Sequence, residues 1–297
     1  MTQTLENLEH QIRSMQGIRS VVHTMKTLSA INATPYERAA RSIESYRDVV
    51  LGGMQAIVHG GGTIDTTTPE SAERIFLAFG SDHGLCGNYN ERIADAVADS
   101  LAQSGTRHYQ ILCVGSRVSD ALDRLSIPVR DTLFTPANAD GLARLAGELV
   151  TQVDSIRSAA TAGAVSIELL YTTRLSNGEH EVKDERLLPL SAELVQRLQT
   201  EPYESNSLPW MRESADSLFA SLIRHFLFAG VYRAAAEAMA AENAARLARM
   251  QQAERAVDDQ LQLLADQTRT ARQTQITEEL MDVIVGFEAL RDKKQLA

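Results

Sequence analysis

The stretch SDHGLCGNYN, residues 81–90, holds the residues of this chain that most resemble a reactive site. Cys86 would act as a nucleophile if a base lay within hydrogen-bond reach, and His83 is the nearest base in sequence. Gly84 and Gly87 follow an apolar run, and glycine turns between a strand and a helix often bind phosphate. The stretch has neither the lysine and hydroxyl of GxxxxGK[ST] nor the GxGxxG spacing. No further residues complete a catalytic set, so we interpret Cys86 as a small, buried apolar residue.

The composition gives little support for a metal site, a disulfide framework, a nucleic-acid partner or a membrane-spanning segment. The seven histidines are scattered without paired-ligand spacing, and we expect neither a metal nor a cofactor. Cys86 and Cys113 build no disulfide framework or zinc site, which suits a reducing compartment. The net charge of -10, without a basic cluster, argues against nucleic acid as a partner. Arg224 and His225 interrupt the most apolar run, so no segment is expected to span a bilayer.

The N-terminal segment, residues 1–58, has the apolar pattern of a long helix that packs through one narrow stripe. The stripe consists of Leu5, Leu8, Ile12, Met15, Ile18, Val22, Met25 and Leu28. Pro35 predicts a kink or a break, because proline removes a helical hydrogen bond and clashes with the preceding turn. The segment HGGGTIDTTTPES, residues 59–71, predicts a loop.

The middle of the chain, residues 72–200, alternates short apolar runs with helical stretches. Such alternation predicts a small, mostly parallel sheet with helices packed on it. The run HEVKDERLLPL predicts a further strand that pairs with VSIELLYTT across the turn SNG. The predicted fold class of this part is therefore α/β.

The C-terminal segment, residues 210–290, predicts one long helix from about Glu213 to Leu290. Roughly 80 residues would extend on the order of 120 Å. Its apolar seam consists of Leu247, Met250, Val257, Leu261, Leu264, Thr268 and Ala271. The N-terminal helix is the only partner long enough to cover that seam, so we predict an antiparallel coiled coil of the two terminal helices, projecting from the α/β body. Pattern alone leaves open an oligomerisation stalk or a rod with a specific partner.

Four motifs, in order along almost the whole chain, resemble the gamma subunit of F-type ATP synthases. RQTQITEELMDVI, residues 272–284, is similar to that family's C-terminal signature, and ENAARLARM, residues 242–250, resembles the segment upstream of it. SDHGLCG is similar to the SDRGLCG turn, and RSMQGIRSVVHTMK, residues 13–26, resembles the N-terminal pattern ending in Met-Lys. The resemblance implies two long terminal helices around a Rossmann-like body.

The resemblance also implies a function. The chain would be the central rotor shaft that turns inside a ring of alpha and beta subunits, and its body would sit with the epsilon subunit on the membrane c-ring. It would carry no catalytic residues, because nucleotides bind to alpha and beta in that family. It would be peripheral to the inner membrane of a bacterial cell, on the cytoplasmic side.

Residues matching the family's motifs are expected to contact the beta subunit. Met25, Lys26 and Arg246 would lie near its acidic lever segment. Arg272, Gln273 and Thr277 would contact the loop that grips the upper shaft, with their side chains turned towards beta rather than towards the N-terminal helix. Two alternatives remain: a coiled-coil adaptor on the same scaffold, outside any motor, and a small-molecule enzyme that uses the glycine turn.

Overall fold

The computed structural model describes residues 2–61, 73–104, 108–159, 165–175, 180–205, 207 and 209–295, with side chains described from residue 5 to residue 286. Within these residues the elements are α1 Thr2–His59, β1 Glu73–Phe79, α2 Tyr89–Ser104, β2 Tyr109–Val114, α3 Ser116–Arg124, β3 Asp131–Leu133, a short 3-10 turn Ala139–Gly141, α4 Leu142–Ala159, β4 Val165–Arg174, β5 His180–Leu188, α5 Ala192–Thr200 and α6 Ala215–Gln295. The chain forms two compact units, which comprise Met1–Leu28 with Ala248–Ala297, and Ser29–Leu247. Both long helices contribute to both units.

Helix α1 continues through Pro35, so of the predicted kink or break the break is wrong, and a kink stays a prediction. An interior proline costs a helix about 3 kcal/mol, and here tertiary packing opposes that cost. Tyr36 is buried and its hydroxyl donates to the carbonyl of Pro136 at 2.9 Å. Met54 is fully buried further along the same helix. The predicted loop 59–71 lies almost wholly outside the described residues, as does the predicted turn SNG.

In the first unit, the start of α1 and the end of α6 run antiparallel. Ion pairs join them in reverse order along the two helices: Arg19 with Asp258 at 2.7 Å, and Glu9 with Arg272 at 2.7 Å. The predicted seam of α6 is confirmed, since its central members are buried: Met250, Val257, Leu264 and Thr268.

The predicted stripe of α1 is only partly correct. Val22 is buried, but Ile18 and Leu28 are 49% and 53% exposed. Six residues turn an α-helix by about 600°, so Leu28 lies about 120° around the helix from Val22. A single partner helix covers only a narrow stripe, and Leu28 falls outside it.

The second unit is built on a five-stranded sheet of order β3-β2-β1-β4-β5. The first four strands are parallel, and β5 is antiparallel to β4. This confirms the mostly parallel sheet and the pairing of the HEVKDERLLPL and VSIELLYTT segments. At its centre, Leu77 of β1 lies between Leu112 of β2 and Leu169 of β4.

Helices cover both faces of the sheet because its strand residues alternate between two apolar cores. On one face, Ile75, Leu77 and Phe79 pack with the helices α1, α4, α5 and α6. On the other face, Phe76 and Ala78 pack with α2 and α3. The long terminal helices therefore belong to the body's core as well as to the antiparallel pair, and the predicted fold class is confirmed. Helix α5 was not predicted.

Candidate partner-contact site

Lys26, one of the expected contact residues, is held by its own chain. Its ammonium donates to both carboxylate oxygens of Glu254, at 2.8 and 2.5 Å. His23 lies 3.2 Å from the same carboxylate. The hydrogen bonds from Lys26 and His23 hold the pKa of the Glu254 carboxyl below its ordinary value. Met25, beside Lys26 in sequence, is half-buried.

Arg272 turns towards the N-terminal helix, contrary to the sequence-based expectation. Its guanidinium donates to the Glu9 carboxylate at 2.7 Å, and both side chains are largely exposed. An exposed pair of this kind contributes only about 0–1 kcal/mol. A long arginine side chain at the edge of the seam can reach a carboxylate on the facing helix, and the contact of Arg272 with beta stays a prediction.

Gln273 and Thr277 are exposed on α6, four residues apart. The Thr277 hydroxyl donates to the backbone carbonyl of Gln273 at 2.9 Å. Residues four apart share one helix face. The two side chains therefore present an uncharged hydrogen-bonding surface.

Apolar residues near the end of α6 are exposed as well. Leu280, Met281, Val283, Ile284 and Val285 are between 52% and 70% exposed. Contiguous exposed apolar surface marks interaction sites in soluble proteins. This part of α6 has the surface of a helix that a partner covers.

Arg246 lies against the glycine turn. It donates to the carbonyls of His83 at 3.2 Å and Gly84 at 3.4 Å, and it pairs with Glu242 one helical turn earlier. The Arg246 and Glu242 side chains are only 12% and 8% exposed. Burial raises the pKa of the Glu242 carboxyl, although Arg246 acts against that rise. Arg246 thus holds the turn in place, and its direct contact with a partner stays a prediction.

The glycine turn is tied together by its polar side chains. The Asn90 amide accepts from the Ser81 backbone N–H at 2.9 Å, and the Ser81 hydroxyl donates to the His83 carbonyl at 2.9 Å. Cys86 is 4% exposed beside these groups, as expected for a small buried residue. Burial raises the pKa of the Cys86 thiol, which keeps it protonated. A protonated thiol is a poor nucleophile.

At the carboxyl ends of the parallel strands, where open α/β folds usually bind ligands, this chain places its own side chains. Asp82 accepts from the Ser116 backbone N–H at 2.8 Å and from both the backbone N–H and the hydroxyl of Thr135 at 2.7 Å. The Tyr89 hydroxyl donates to the Ala238 carbonyl of α6 at 2.9 Å. These contacts join the loops after β1, β2 and β3 to one another and α2 to α6.

Within the part of the chain that the structure describes, no group of three or more histidine, cysteine or acidic side chains is arranged to hold a metal ion. In the same residues, no helix is long and apolar enough to cross a membrane.

Sequence reasoning missed the internal partners Glu9 and Glu254, because pairing across two helices depends on a register that spacing within one helix does not define. It also missed Leu85, which is 56% exposed and has a left-handed φ of 68°. Non-glycine residues adopt that conformation at some cost in strain, and such residues cluster at functional sites.

The two terminal helices pair antiparallel in one unit, and in the other they pack on a mostly parallel sheet. The ATP synthase family model matches residues 4–290. The relatives are named ATP synthase gamma chain: that of Cupriavidus necator is 27% identical over 96% of this chain and 99% of its own length, and that of Streptomyces avermitilis is 25% identical over 96% and 95%. The chain belongs to the ATP synthase gamma family.

Solved structures agree on the fold. A chain of the Euglena gracilis mitochondrial ATP synthase, from its OSCP/F1/c-ring structure in rotational state 3, superposes with a TM-score of 0.69 at 14% identity, over 99% of this chain and 97% of that one. A chain of the rotor from the same source, in rotational state 1, gives a TM-score of 0.63 at 12% identity, over 93% and 100%.

Proposed function

We propose that this chain is the central rotor shaft of a rotary F-type ATP synthase, coupling ion movement through the membrane c-ring to ATP synthesis or hydrolysis on the beta subunits. The match of the family over residues 4–290 carries the proposal. The antiparallel pair formed by the two chain ends supports it, because this pair offers a surface that a surrounding ring can contact. As a gamma chain it is a non-catalytic subunit.

The contacts with beta are proposed for two sets of residues. One set consists of Met25 and Lys26 on α1 and Arg246 on α6, which acts at least in part by holding the glycine turn. The other set consists of Arg272, Gln273 and Thr277. Gln273 and Thr277 face outwards already, and Arg272 would exchange Glu9 for a partner group at little cost because the pair is exposed.

The remaining partners and the location follow from the same role. The alpha and beta subunits surround the helix pair, and the epsilon subunit and the c-ring meet the body. The complex lies at the inner membrane of a bacterial cell, with this subunit peripheral on the cytoplasmic side. Neither nucleic acid nor a cofactor of its own takes part.

Rotation is the direct test. The chain would be produced with its alpha and beta subunits, with Asp95, an exposed residue of α2, replaced by cysteine to carry a bead. Cys86 and Cys113 are buried and burial raises the pKa of both thiols, so the label goes to position 95. We expect ATP-dependent stepwise rotation of the bead. Co-purification without rotation would favour the adaptor, and nucleotide turnover by the isolated chain would favour the enzyme.

A further inference from the structure

Arg233 of α6 carries a guanidinium that is almost completely buried, at 7% exposed for the residue. It forms a cluster, here called the Arg233 cluster, with Glu237 on α6, Glu44 on α1, Glu185 on β5 and Tyr171 on β4. One side chain therefore joins both long helices to the edge of the sheet.

The geometry gives the guanidinium several directed contacts. Nη1 donates to the Tyr171 hydroxyl at 3.2 Å and to Glu237 at 3.3 Å, and Nη2 donates to Glu185. The Tyr171 hydroxyl donates in turn to the other Glu185 oxygen at 2.8 Å. Nε lies 3.2 Å from a Glu44 oxygen, but without the alignment of a hydrogen bond. The link to α1 is thus the weakest of the set.

The charges of this region balance. Glu185 also lies 3.3 Å from Lys183, and Glu44 lies 3.5 Å from Arg47. Burial raises the pKa of Glu185, but Arg233, Tyr171 and Lys183 together hold it below its ordinary value. The carboxylate is therefore ionised at neutral pH and forms a true ion pair with Arg233.

Around Arg233, the buried residues of α6 are mostly alanines, although Val231 and Met239 are buried among them. The alanines are Ala229, Ala234, Ala235, Ala236, Ala238, Ala240 and Ala241, all with at most 8% exposure. Methyl groups interlock less than long side chains do, so apolar packing constrains the position of this stretch less than larger residues would. The Arg233 cluster adds directed polar contacts to this alanine-rich stretch.

We infer that Arg233 is a positioning residue that fixes the register of α6 against α1 and β5 while the shaft transmits torque, an inference that rests on the proposed function. Buried ion pairs are weak evidence for stability, because desolvation offsets their attraction, and their best-supported role is to select one register. A subunit that carries force between a membrane ring and a catalytic ring depends on such a fixed register.

The test replaces Arg233 by methionine and Glu185 by glutamine in one variant. Because both charges of this pair are removed together, neither is left buried without its partner. Spin labels at Ser45→Cys on α1 and Ser221→Cys on α6, both exposed positions, report the register in the assembled complex. Arg224→Met is the matched control, because Arg224 is exposed on the same helix and pairs with Asp154 at 3.2 Å.

We expect the double variant to assemble with a melting temperature close to that of the unaltered complex, but with a broadened label-to-label distance distribution. We expect the ratio of ion pumping to ATP hydrolysis in vesicles to fall by at least about twofold, the lower end of what single residues do to coupling. The control should change neither readout. A distribution as narrow as that of the unaltered complex, or a broadened one with an unchanged ratio, would overturn the inference.

Two outcomes are kept separate by design. If the unaltered complex itself fails to couple pumping to hydrolysis, the proposed function fails rather than this inference. If the double variant does not fold, Glu44→Gln is the second variant: it removes the ion pair of Arg233 with α1 and the pair of Glu44 with Arg47 on the same helix. Because the Glu44 side chain is 42% exposed, the change leaves no buried charge without solvent. That variant should still broaden the distance distribution between the two labels. An unchanged distribution would contradict the inference that Arg233 fixes the register of α6 against α1.

Discussion

Lys26 on α1 and Glu254 on α6 form an ion pair in which both Glu254 oxygens accept from the Lys26 ammonium, at 2.8 and 2.5 Å. The cation expected to meet a partner is thus neutralised by its own chain. Any partner carboxylate would compete with Glu254 for Lys26.

Replacing Glu254 by glutamine should therefore make Lys26 more reactive. Amine acetylation followed by mass spectrometry would measure this, with an increase of about two- to fivefold at Lys26, the range that losing one surface ion pair allows. Asp258→Asn is the control, because it releases Arg19 and leaves Lys26 paired. Equal labelling of Lys26 in the Glu254 variant and the unaltered chain would contradict the prediction.

Replacing both Arg272 and Gln273 by alanine should lower the ratio of ion pumping to ATP hydrolysis while the complex still assembles. The lost Glu9 contact should cost less than about 1 kcal/mol of unfolding free energy, since the pair is exposed. Reconstituted vesicles give the ratio. The control is Arg269→Ala, because Arg269 is more exposed and, among the residues with described side chains, its ion pair is with Asp266 on its own helix, at 3.9 Å. An unchanged ratio in the double variant would remove both residues from the coupling path.

Gly115→Ala should destabilise the body by about 1–3 kcal/mol or more, because Gly115 has a φ of 100°. An added Cβ would also lie 2.6 Å from the Ser81 backbone nitrogen. Gly147→Ala is the matched control: it lies inside α4 with no atom within 4 Å of the new methyl group, and should stabilise by about 0.5–1 kcal/mol. Urea unfolding measures both, and a tolerated Gly115→Ala would mean that the turn is not constrained.

Stability should fall in acid partly through Glu185. Its folded-state pKa is below the ordinary value of 4.5, so its contribution is present above that value and is lost as the pH falls through the folded pKa. Glu185→Gln should therefore weaken the pH dependence of the unfolding free energy below pH 4.5. The control Glu91→Gln removes an exposed carboxylate 4.0 Å from Arg124 and should preserve more of that dependence. Identical acid profiles for both variants would refute the assignment.

The sequence predicted the sheet well because its strands are short, apolar and bounded by turns. The alternation of Ile75 and Leu77 with Phe76 defines two faces whatever the rest of the chain does. The break predicted at Pro35 was wrong because helix propensity is a local quantity, whereas the burial of Tyr36 and Met54 depends on residues distant in sequence. Leu28 was wrongly assigned to the apolar stripe because residues chosen in steps of three and four gradually rotate around the axis of an α-helix.

The contact site was only partly predictable for a similar reason. Motif matches selected Lys26, Arg246 and Arg272, but spacing along one helix does not reveal which side chains on another helix reach them. Arg246 lies against a turn more than 150 positions earlier in sequence, and Glu9 and Glu254 come from opposite ends of the chain. Such pairings become visible only when the register of α1 against α6 is known.

The unit that contains Met1–Leu28 is completed only by Ala248–Ala297, which has a consequence for synthesis on the ribosome. At about 5–20 residues per second, the first helix waits on the order of ten to forty seconds before its partner emerges. Throughout that interval the buried side of α1, including Val22, has no partner helix within its own unit to cover it. The nascent chain therefore exposes the apolar side of α1 during this interval. Chaperones that act during translation bind such exposed apolar segments.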